Sequence, residues 1–180
     1  SLNFKYHKLD VFIRALKLAK EHGVKLRLRI IGEGVLLPKL KILVKTLGLD
    51  NSVEFLGYVK RTELPNKLGQ GLFGIVGRPS RGNPWIVNTM RMTTFEYLSC
   101  GLPILAYGPA NSYTQYFIEK NKVGVYIPTN EPRRVAQGIT QLISLIRSEP
   151  SISHRCRDVA LKYDWNFISK TFVHIAIKMC

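Results

Sequence analysis

The stretch that decides the fold of this chain reads TTFEYLSCGLPILA and runs from Thr93 to Ala106. An amphipathic helical pattern with one acidic residue, Glu96, runs into Gly-Leu-Pro at 101–103, and an apolar strand pattern follows at once. Gly is common just after helix C-termini because it adopts left-handed backbone conformations, and Pro prevents a helix from continuing. The stretch therefore predicts a helix that leads directly into a buried strand, which is the local order of an α/β sheet.

Glu96 lies where such a sheet binds ligands. The carboxyl ends of parallel strands and the N-termini of neighbouring helices form a crevice in open α/β folds. A carboxylate there accepts hydrogen bonds from ligand hydroxyls, while free N–H groups at the helix start bind phosphate. The alternative interpretation of Glu96 is an ordinary solvated helix residue.

Helical and strand patterns alternate along the rest of the chain. Apolar spacing predicts further helices at 9–19, 36–47, 63–68, 113–119, 135–146, 151–163 and 165–179. Strand patterns occupy 25–31, 53–56, 71–76, 103–106 and 124–127. The stretch 77–89 is rich in Gly, Pro, Arg and Asn and is predicted to be a long loop, functional or disordered. We therefore expect one α/β domain over residues 1–180, with a parallel sheet, helices on both faces, and C-terminal helices at about 151–180.

The charge balance is strongly basic. The chain has 27 Lys and Arg against 12 Asp and Glu, a formal net charge of +15. This charge favours anionic partners, which include nucleic acid, anionic lipid and phosphorylated metabolites, without choosing among them. The alternative interpretation is a basic surface that only keeps the protein soluble. The three cysteines, Cys100, Cys156 and Cys180, lack metal-ligand or disulfide-framework spacing and indicate reduced, intracellular thiols. No stretch approaches the roughly 18 apolar residues of a membrane span.

Several stretches together resemble the nucleotide-sugar-dependent glycosyltransferases of the GT-B fold, most closely glycosyltransferase family 4. The stretch 93–106 is similar to that family's FEYLACGLPVIA-like signature. The other matching stretches, in the family's order, are IIGEG at 30–34, LGLDNSVEFLGYV at 47–59, the strand pattern at 71–80, VGVYIP at 123–128 and YDW at 163–165. Each piece is short, but the ordered set covers nearly the whole chain.

The resemblance implies a Rossmann-like domain that corresponds to the C-terminal, donor-binding half of such an enzyme. The N-terminal acceptor domain is expected to be absent from this chain. The intact enzyme is expected to transfer a hexosyl unit, with retention, from a UDP-, GDP- or ADP-hexose to an acceptor. No tightly bound cofactor or metal is expected, and the chain alone is expected to bind donor weakly without turnover.

The signature helix and the stretch before it carry most of the implied donor contacts. Glu96 matches the family's carboxylate that binds the ribose hydroxyls of the donor. Asn88 stands where the family has the Glu that contacts the sugar, and Thr93 stands where a Lys is common in some relatives. Asn88, Thr89, Thr93 and Thr94 are therefore candidates for sugar or phosphate contacts. The alternative for the three Thr residues is that one of them is the helix N-cap.

Other stretches supply further donor-binding candidates. Gly32 and Gly34 permit close approach of the backbone to a ligand, although an ordinary turn would also use them. Val59 matches a position whose backbone contacts the nucleobase. His7 falls on the position of the family's diphosphate-binding Lys, and Lys8 beside it is a candidate to supply that charge.

Three arginines, Arg78, Arg81 and Arg91, flank the stretch predicted as a loop. Guanidinium groups around a crevice suit a diphosphate, yet a basic chain also places Arg there by chance. No residue is assigned as catalytic, and no pattern of metal ligands is present.

Other functions stay open at this point. The charge suggests a basic α/β nucleic-acid-binding domain, but the Lys and Arg residues are spread along the chain, so no specific nucleic acid is expected. Asn88 and Thr93 also fit a degenerate domain that binds nucleotide without turnover. Another GT-B enzyme, an epimerase or phosphorylase, would lack this signature or carry a pyridoxal-binding Lys motif. A cytoplasmic location is expected, with peripheral contact to an anionic membrane through the basic C-terminal region as a further alternative.

Overall fold

The structure is a computed structural model that describes residues 7–80, 84–164 and 168–169. Within these residues, helices and strands alternate in the predicted order. The elements are α1 (Leu9–Glu21), β1 (Leu28–Ile31), α2 (Leu37–Thr46), β2 (Val53–Gly57), α3 (Leu64–Gly69), β3 (Gly74–Gly77), α4 (Pro84–Asn88), α5 (Met92–Ser99), β4 (Ile104–Tyr107), α6 (Tyr113–Asn121), β5 (Gly124–Ile127), α7 (Pro132–Ser148) and α8 (Ile152–Leu161).

The strands pair in parallel, as the alternation predicted, but they form two sheets. β1 pairs with β2, and β3, β4 and β5 form a second sheet in that order. No hydrogen-bonded ladder joins β1 to β3 in the described chain. The prediction of a parallel α/β arrangement is therefore confirmed, and within the described residues the strands form two parallel sheets.

β4 shows why helices cover both faces of the second sheet. All four of its residues are buried, and successive side chains of a strand point to opposite faces. Leu105 and Tyr107 belong to a core cluster shared with α1 and α7. Ile104 and Ala106 belong to a second cluster built with α5, α6 and α8. A strand buried on both faces has the continuous apolar pattern that the sequence shows at this position.

The signature helix α5 ends as the sequence predicted. Gly101 has a φ of +76°, the left-handed conformation that glycine adopts without strain. The Gly101 N–H donates to the Leu98 carbonyl at 2.9 Å, and the Leu102 N–H donates to the Tyr97 carbonyl at 3.0 Å. These two bonds form a Schellman motif, which reverses the chain into β4.

The prediction of a loop over residues 77–89 is wrong in part, because α4 lies inside it. Pro84 is the first residue of this helix, a position where its fixed φ and missing N–H are tolerated. The Gly, Pro and Asn residues of the stretch are typical of loops, so the sequence did not indicate this five-residue helix. Residues 81–83, which include Arg81, lie outside the described residues.

The C-terminal prediction is confirmed for its first helix. The predicted helix at 151–163 corresponds to α8, which the structure places at Ile152–Leu161. The second predicted helix, at 165–179, lies outside the described residues except for residues 168–169, which are helical.

Candidate functional site

A cleft of about 660 Å³ separates the two sheets. Every residue of β1 and of β3 lines it, so the cleft lies where the unpaired edges of these strands face each other. Phe12 and Leu16 of α1 contribute an apolar surface, while Arg91, Thr93 and Glu96 contribute polar groups. The volume is in the range of small-ligand sites, which are mostly apolar with a few convergent polar groups.

Five of the predicted donor-binding residues line this cleft. They are His7, Gly32, Val59, Thr93 and Glu96. They come from four separate parts of the chain, and the fold brings them together because parallel strands place their carboxyl ends at one edge.

Glu96 is exposed and projects from α5 into the cleft lining. Within the described chain its carboxylate forms no hydrogen bond or ion pair. It lies close enough to Tyr97 to help raise the pKa of that phenol, after the larger effect of burial. The carboxylate therefore has its acceptor oxygens available for ligand hydroxyls.

The turn after β1 gives the backbone access that the sequence predicted for Gly32. Its φ of +121° lies in a region that non-glycine residues rarely adopt. The Gly32 N–H donates to the Gly57 carbonyl at 2.7 Å, which joins the ends of β1 and β2. Tyr58 and Val59 follow directly and line the cleft, and the Tyr58 side chain is 73% exposed. The exposed ring adds an aromatic surface to the cleft lining, and sequence reasoning did not single it out.

The other five candidates lie outside the cleft lining. They are Lys8, Gly34, Asn88, Thr89 and Thr94. Thr94 is fully buried within α5, and Asn88 ends α4. The Thr89 hydroxyl donates to the Trp85 carbonyl and accepts a hydrogen bond from Arg78 Nη2 at 2.7 Å. Gly34 accepts a hydrogen bond from the Leu37 N–H at the start of α2.

The alternative that a Thr caps α5 is wrong. The N-cap residue is Arg91, in an extended conformation and without a side-chain cap. Thr93 and Thr94 lie inside the first turn of the helix, and Thr94 Oγ1 is buried without a hydrogen-bond partner.

The backbone of Lys8, rather than its side chain, forms a contact that stabilises the fold. Its carbonyl accepts a 2.8 Å hydrogen bond from the hydroxyl of Tyr107, a fully buried residue at the end of β4. The bond fixes the chain just before α1, so that His7 reaches the cleft. Burial, and secondarily the negative charge of Asp10, raises the pKa of Tyr107 well above its usual value, so the phenol stays a donor.

Two arginines concentrate positive charge beside His7. Arg91 Nη1 lies 3.1 Å and 3.2 Å from the two ring nitrogens of His7. Burial, followed by the like charge of Arg78, lowers the pKa of Arg91. The sequence placed both arginines near the cleft but gave no signal for which of them lines it, because that depends on the packing of α4.

Among residues 7–80, 84–164 and 168–169, no group of three or more His, Cys, Asp or Glu side chains is arranged to hold a metal ion. None of the helices in the same part of the chain is long and apolar enough to cross a membrane.

Comparison with known proteins identifies relatives over nearly the whole chain. The family model described as Glycosyl transferases group 1 matches residues 3–158. WcaL of Escherichia coli (strain K12), whose name describes a colanic acid biosynthesis glycosyltransferase, is 26% identical over 160 residues, which cover 88% of this chain and 38% of WcaL.

Two solved structures show the same fold. Anabaena Alr3699/HepE, crystallised in complex with UDP, superimposes with a TM-score of 0.76 at 18% identity, over 99% of this chain and 47% of HepE. The catalytic domain of the Helicobacter pylori cholesterol-alpha-glucosyltransferase gives a TM-score of 0.70 at 19% identity, over 89% of this chain and 93% of that domain. The chain thus spans well under two thirds of WcaL and HepE.

Proposed function

Because the chain belongs to the glycosyl transferases group 1 family, we propose that it forms the nucleotide-sugar donor-binding domain of a retaining hexosyltransferase. The donor is a nucleoside-diphosphate hexose, and the acceptor binds to another part of the protein. This chain therefore binds donor weakly on its own and does not turn it over. It needs no metal ion, because cationic side chains and backbone N–H groups neutralise the diphosphate.

One observation carries the proposal. The cleft brings Glu96 into the same 660 Å³ space as Gly32, Val59 and Thr93, which follow different strands or open a helix. A donor nucleotide needs a carboxylate for its ribose diol, open backbone for its base, and polar groups for its phosphates. The cleft offers all three kinds of group within the dimensions of one nucleotide site.

Each group has a role set by its chemistry. Glu96 accepts hydrogen bonds from the two ribose hydroxyls, which are both donors. The backbone near Val59 contacts the base, and the open backbone at Gly32 lets the phosphates approach closely. The Thr93 hydroxyl lies in the first turn of α5 and contacts the phosphate or the sugar. During transfer the leaving diphosphate gains negative charge, which these fixed dipoles stabilise.

The solved relatives support this assignment. HepE has been crystallised with UDP and with UDP-glucose, and the pneumococcal O-GlcNAc transferase GtfA with UDP and GlcNAc. Each shares the fold of this chain at a TM-score between 0.71 and 0.76. Their identities are below 20%, so the choice of UDP over GDP or ADP is left to experiment.

We place the protein in the cytoplasm, with peripheral contact to the inner face of an anionic membrane. The net charge of +15 and the exposed Arg157 and Lys162 near the end of α8 support contact with anionic lipid. Arg155 contributes less, since it pairs with Glu149 at 2.5 Å. Lys170 and Lys178 lie outside the described residues.

Calorimetric titration tests the donor-binding proposal. The chain is titrated at low salt with UDP, GDP, ADP and their hexose conjugates, and the best ligand is then titrated against Glu96→Gln. We expect one nucleoside diphosphate to bind selectively, and the variant to lose about tenfold or more in affinity, as expected when a charged hydrogen-bond partner is removed.

The matched control is Glu131→Gln, which removes the same charge from an exposed residue at the start of α7. It is expected to bind like the parent protein. Absence of any diphosphate binding, together with salt-sensitive binding to DNA or RNA, would contradict the proposal and favour the nucleic-acid-binding alternative.

A further inference from the structure

Arg91 occupies the point where α5 meets the cleft. It is the N-cap residue of the helix, in an extended conformation with φ −81° and ψ 138°, and its side chain is partly buried. The guanidinium lines the cleft and lies against the imidazole of His7. It therefore places a positive charge in the lining of the proposed donor site.

No carboxylate neutralises this charge in the described part of the chain. The ion pairs there join Lys17 to Glu21, Arg29 to Glu54 and Arg155 to Glu149. Arg91 instead has another arginine, Arg78, as its charged neighbour, and its Nε is buried without a hydrogen-bond partner. Two partly buried like charges destabilise the protein unless an anion binds between or beside them.

The Nε of Arg78 is also buried without a hydrogen-bond partner, but the fold uses the terminal Nη2 of Arg78. Its Nη2 donates to the Ile86 carbonyl at 2.8 Å and to Thr89 Oγ1 at 2.7 Å. These bonds hold α4 against the end of β3, which is a structural role. Within the described residues, the contact found for Arg91 joins its Nη1 to the ring of His7, so the fold does not use its Nη2 as it uses that of Arg78.

From these contacts we propose that Arg91 binds the diphosphate of the donor and makes the cleft select diphosphates over nucleosides. The inference rests on the proposed function. Guanidinium groups suit this task because their fork of N–H donors matches two phosphate oxygens at once. A bound diphosphate also removes the repulsion between Arg91 and Arg78.

The position of Arg91 relative to Glu96 fits a single nucleotide. The two residues are five positions apart, from the N-cap to the middle of α5, which corresponds to about 7.5 Å along the helix axis. The cation is nearer the helix start and the carboxylate deeper along the helix. A nucleoside diphosphate that spans this distance sets its phosphates on Arg91 and its ribose on Glu96.

Calorimetry on the chain at low salt tests the proposal with three probes. These are the best-binding nucleoside diphosphate among UDP, GDP and ADP, its parent nucleoside, and inorganic pyrophosphate. Arg91→Gln is expected to weaken the nucleoside diphosphate and pyrophosphate by about tenfold to a hundredfold, as for loss of a charged hydrogen bond. Binding of the nucleoside is expected to change by less than about twofold.

Two further variants test whether the effect on diphosphate binding depends on the guanidinium group and on its position in the cleft. Arg91→Lys keeps the charge without the fork and is expected to lie between the parent protein and Arg91→Gln. Arg14→Gln, on the exposed face of α1, removes one positive charge away from the cleft and is expected to bind all three probes like the parent protein. If Arg91→Gln does not fold, Arg91→Lys decides, because a partial or complete loss of diphosphate selectivity in it supports the proposal and unchanged selectivity contradicts it.

The outcomes separate this inference from the proposed function. Unchanged diphosphate binding in a folded Arg91→Gln, or an equal loss for nucleoside and diphosphate, overturns the role of Arg91 and leaves the donor-binding function standing. Failure of the parent protein to bind any nucleoside diphosphate overturns both.

Discussion

Tyr107 connects the core to the candidate site through one hydrogen bond. Its fully buried hydroxyl donates to the Lys8 carbonyl at 2.8 Å, and Lys8 holds a left-handed conformation with φ +48°. Tyr107→Phe removes this bond and leaves the Val11 N–H, at 3.1 Å, as the remaining partner of the carbonyl. We expect a loss of about 0.5–1.5 kcal/mol in the free energy of unfolding, measured by urea denaturation.

Tyr113→Phe is the control, since this tyrosine is 43% exposed and its hydroxyl forms no hydrogen bond within the described residues. It is expected to change the free energy of unfolding by less than about 0.5 kcal/mol. Equal stabilities for the two variants would show that the Tyr107 hydroxyl does not anchor the start of α1.

Gly74 lets Tyr97 pack against β3 beside the cleft. A Cβ at position 74 would lie 2.8 Å from the Tyr97 Cβ and closer still to its ring atoms. Gly74→Ala is therefore expected to displace Tyr97 and to lower the free energy of unfolding by about 1–3 kcal/mol, as for other overpacked sites. Gly69→Ala, where nothing lies within 4 Å of the added carbon, is expected to be neutral or slightly stabilising in the same denaturation experiment.

The Tyr97 phenol is expected to make the free energy of unfolding depend on pH. Burial, followed by the charge of Glu96, raises the pKa of its phenol to about 12 from 10.0. The folded protein therefore retains a proton that the unfolded chain loses between pH 10 and 12, so this contribution to stability is complete below pH 10 and is lost across that interval. Tyr97→Phe is expected to show a shallower fall in the free energy of unfolding from pH 10 to 12. An unchanged slope would contradict the burial of this phenol.

Individual site residues were harder to predict from the sequence than helices and strands. It selected Glu96 and Gly32 because their residue types and neighbours suit ligand contact, and Val59 because of the family resemblance, and all three line the cleft. It could not separate Arg78 from Arg91, since only the packing of α4 shows that Arg78 bonds to backbone carbonyls. Their roles in binding stay predictions until the titrations are done.

The start of α6 is an element boundary that the sequence predicted. The start of α6 was predicted at Tyr113, and Ser112 is its N-cap, accepting from the Gln115 N–H at 3.2 Å. The same hydroxyl donates to the Tyr126 hydroxyl at 2.9 Å, which in turn donates to the Pro109 carbonyl. The cap thus joins α6 to β5.

Removing the Ser112 cap is expected to destabilise α6 and its hydrogen-bonded link to β5. Ser112→Ala should lower the free energy of unfolding by about 1–2 kcal/mol, because it removes an N-cap and one link of a buried hydrogen-bond chain. Ser144→Ala, on the exposed face of α7, is the matched control and is expected to be neutral or slightly stabilising. A thermal melt of both variants distinguishes the cap from the general effect of losing a serine.

Elements were predicted well where a helix has a clear end signal. Gly101 has a positive φ just after α5, as the sequence predicted, and Gly23 and Gly48 have positive φ values just after α1 and α2. The starts of β1 and β3 were predicted three residues too early, because a strand begins only where a partner strand accepts its hydrogen bonds. That partner is a tertiary feature, and no local pattern reveals it.

At the scale of the whole molecule, the separation of the sheets creates the candidate site. The alternation of helices and strands predicted parallel pairing, which the structure confirms. It did not predict that β1 and β3 would face each other across a cleft, since periodicity carries no information about which strands become neighbours. The location of the site was inferred from a rule about strand ends, and its shape became visible only in the fold.

The central claim is that this cleft binds a nucleoside diphosphate, and amide NMR shifts during a titration test it most directly. With the best-binding diphosphate, we expect the largest shift changes at residues that line the cleft, among them Gly32, Val59 and Thr93. The amide shifts of the exposed Arg157 and Lys162, near the end of α8, are expected to stay unchanged. Shift changes concentrated on α8, with the cleft residues unmoved, would contradict the account.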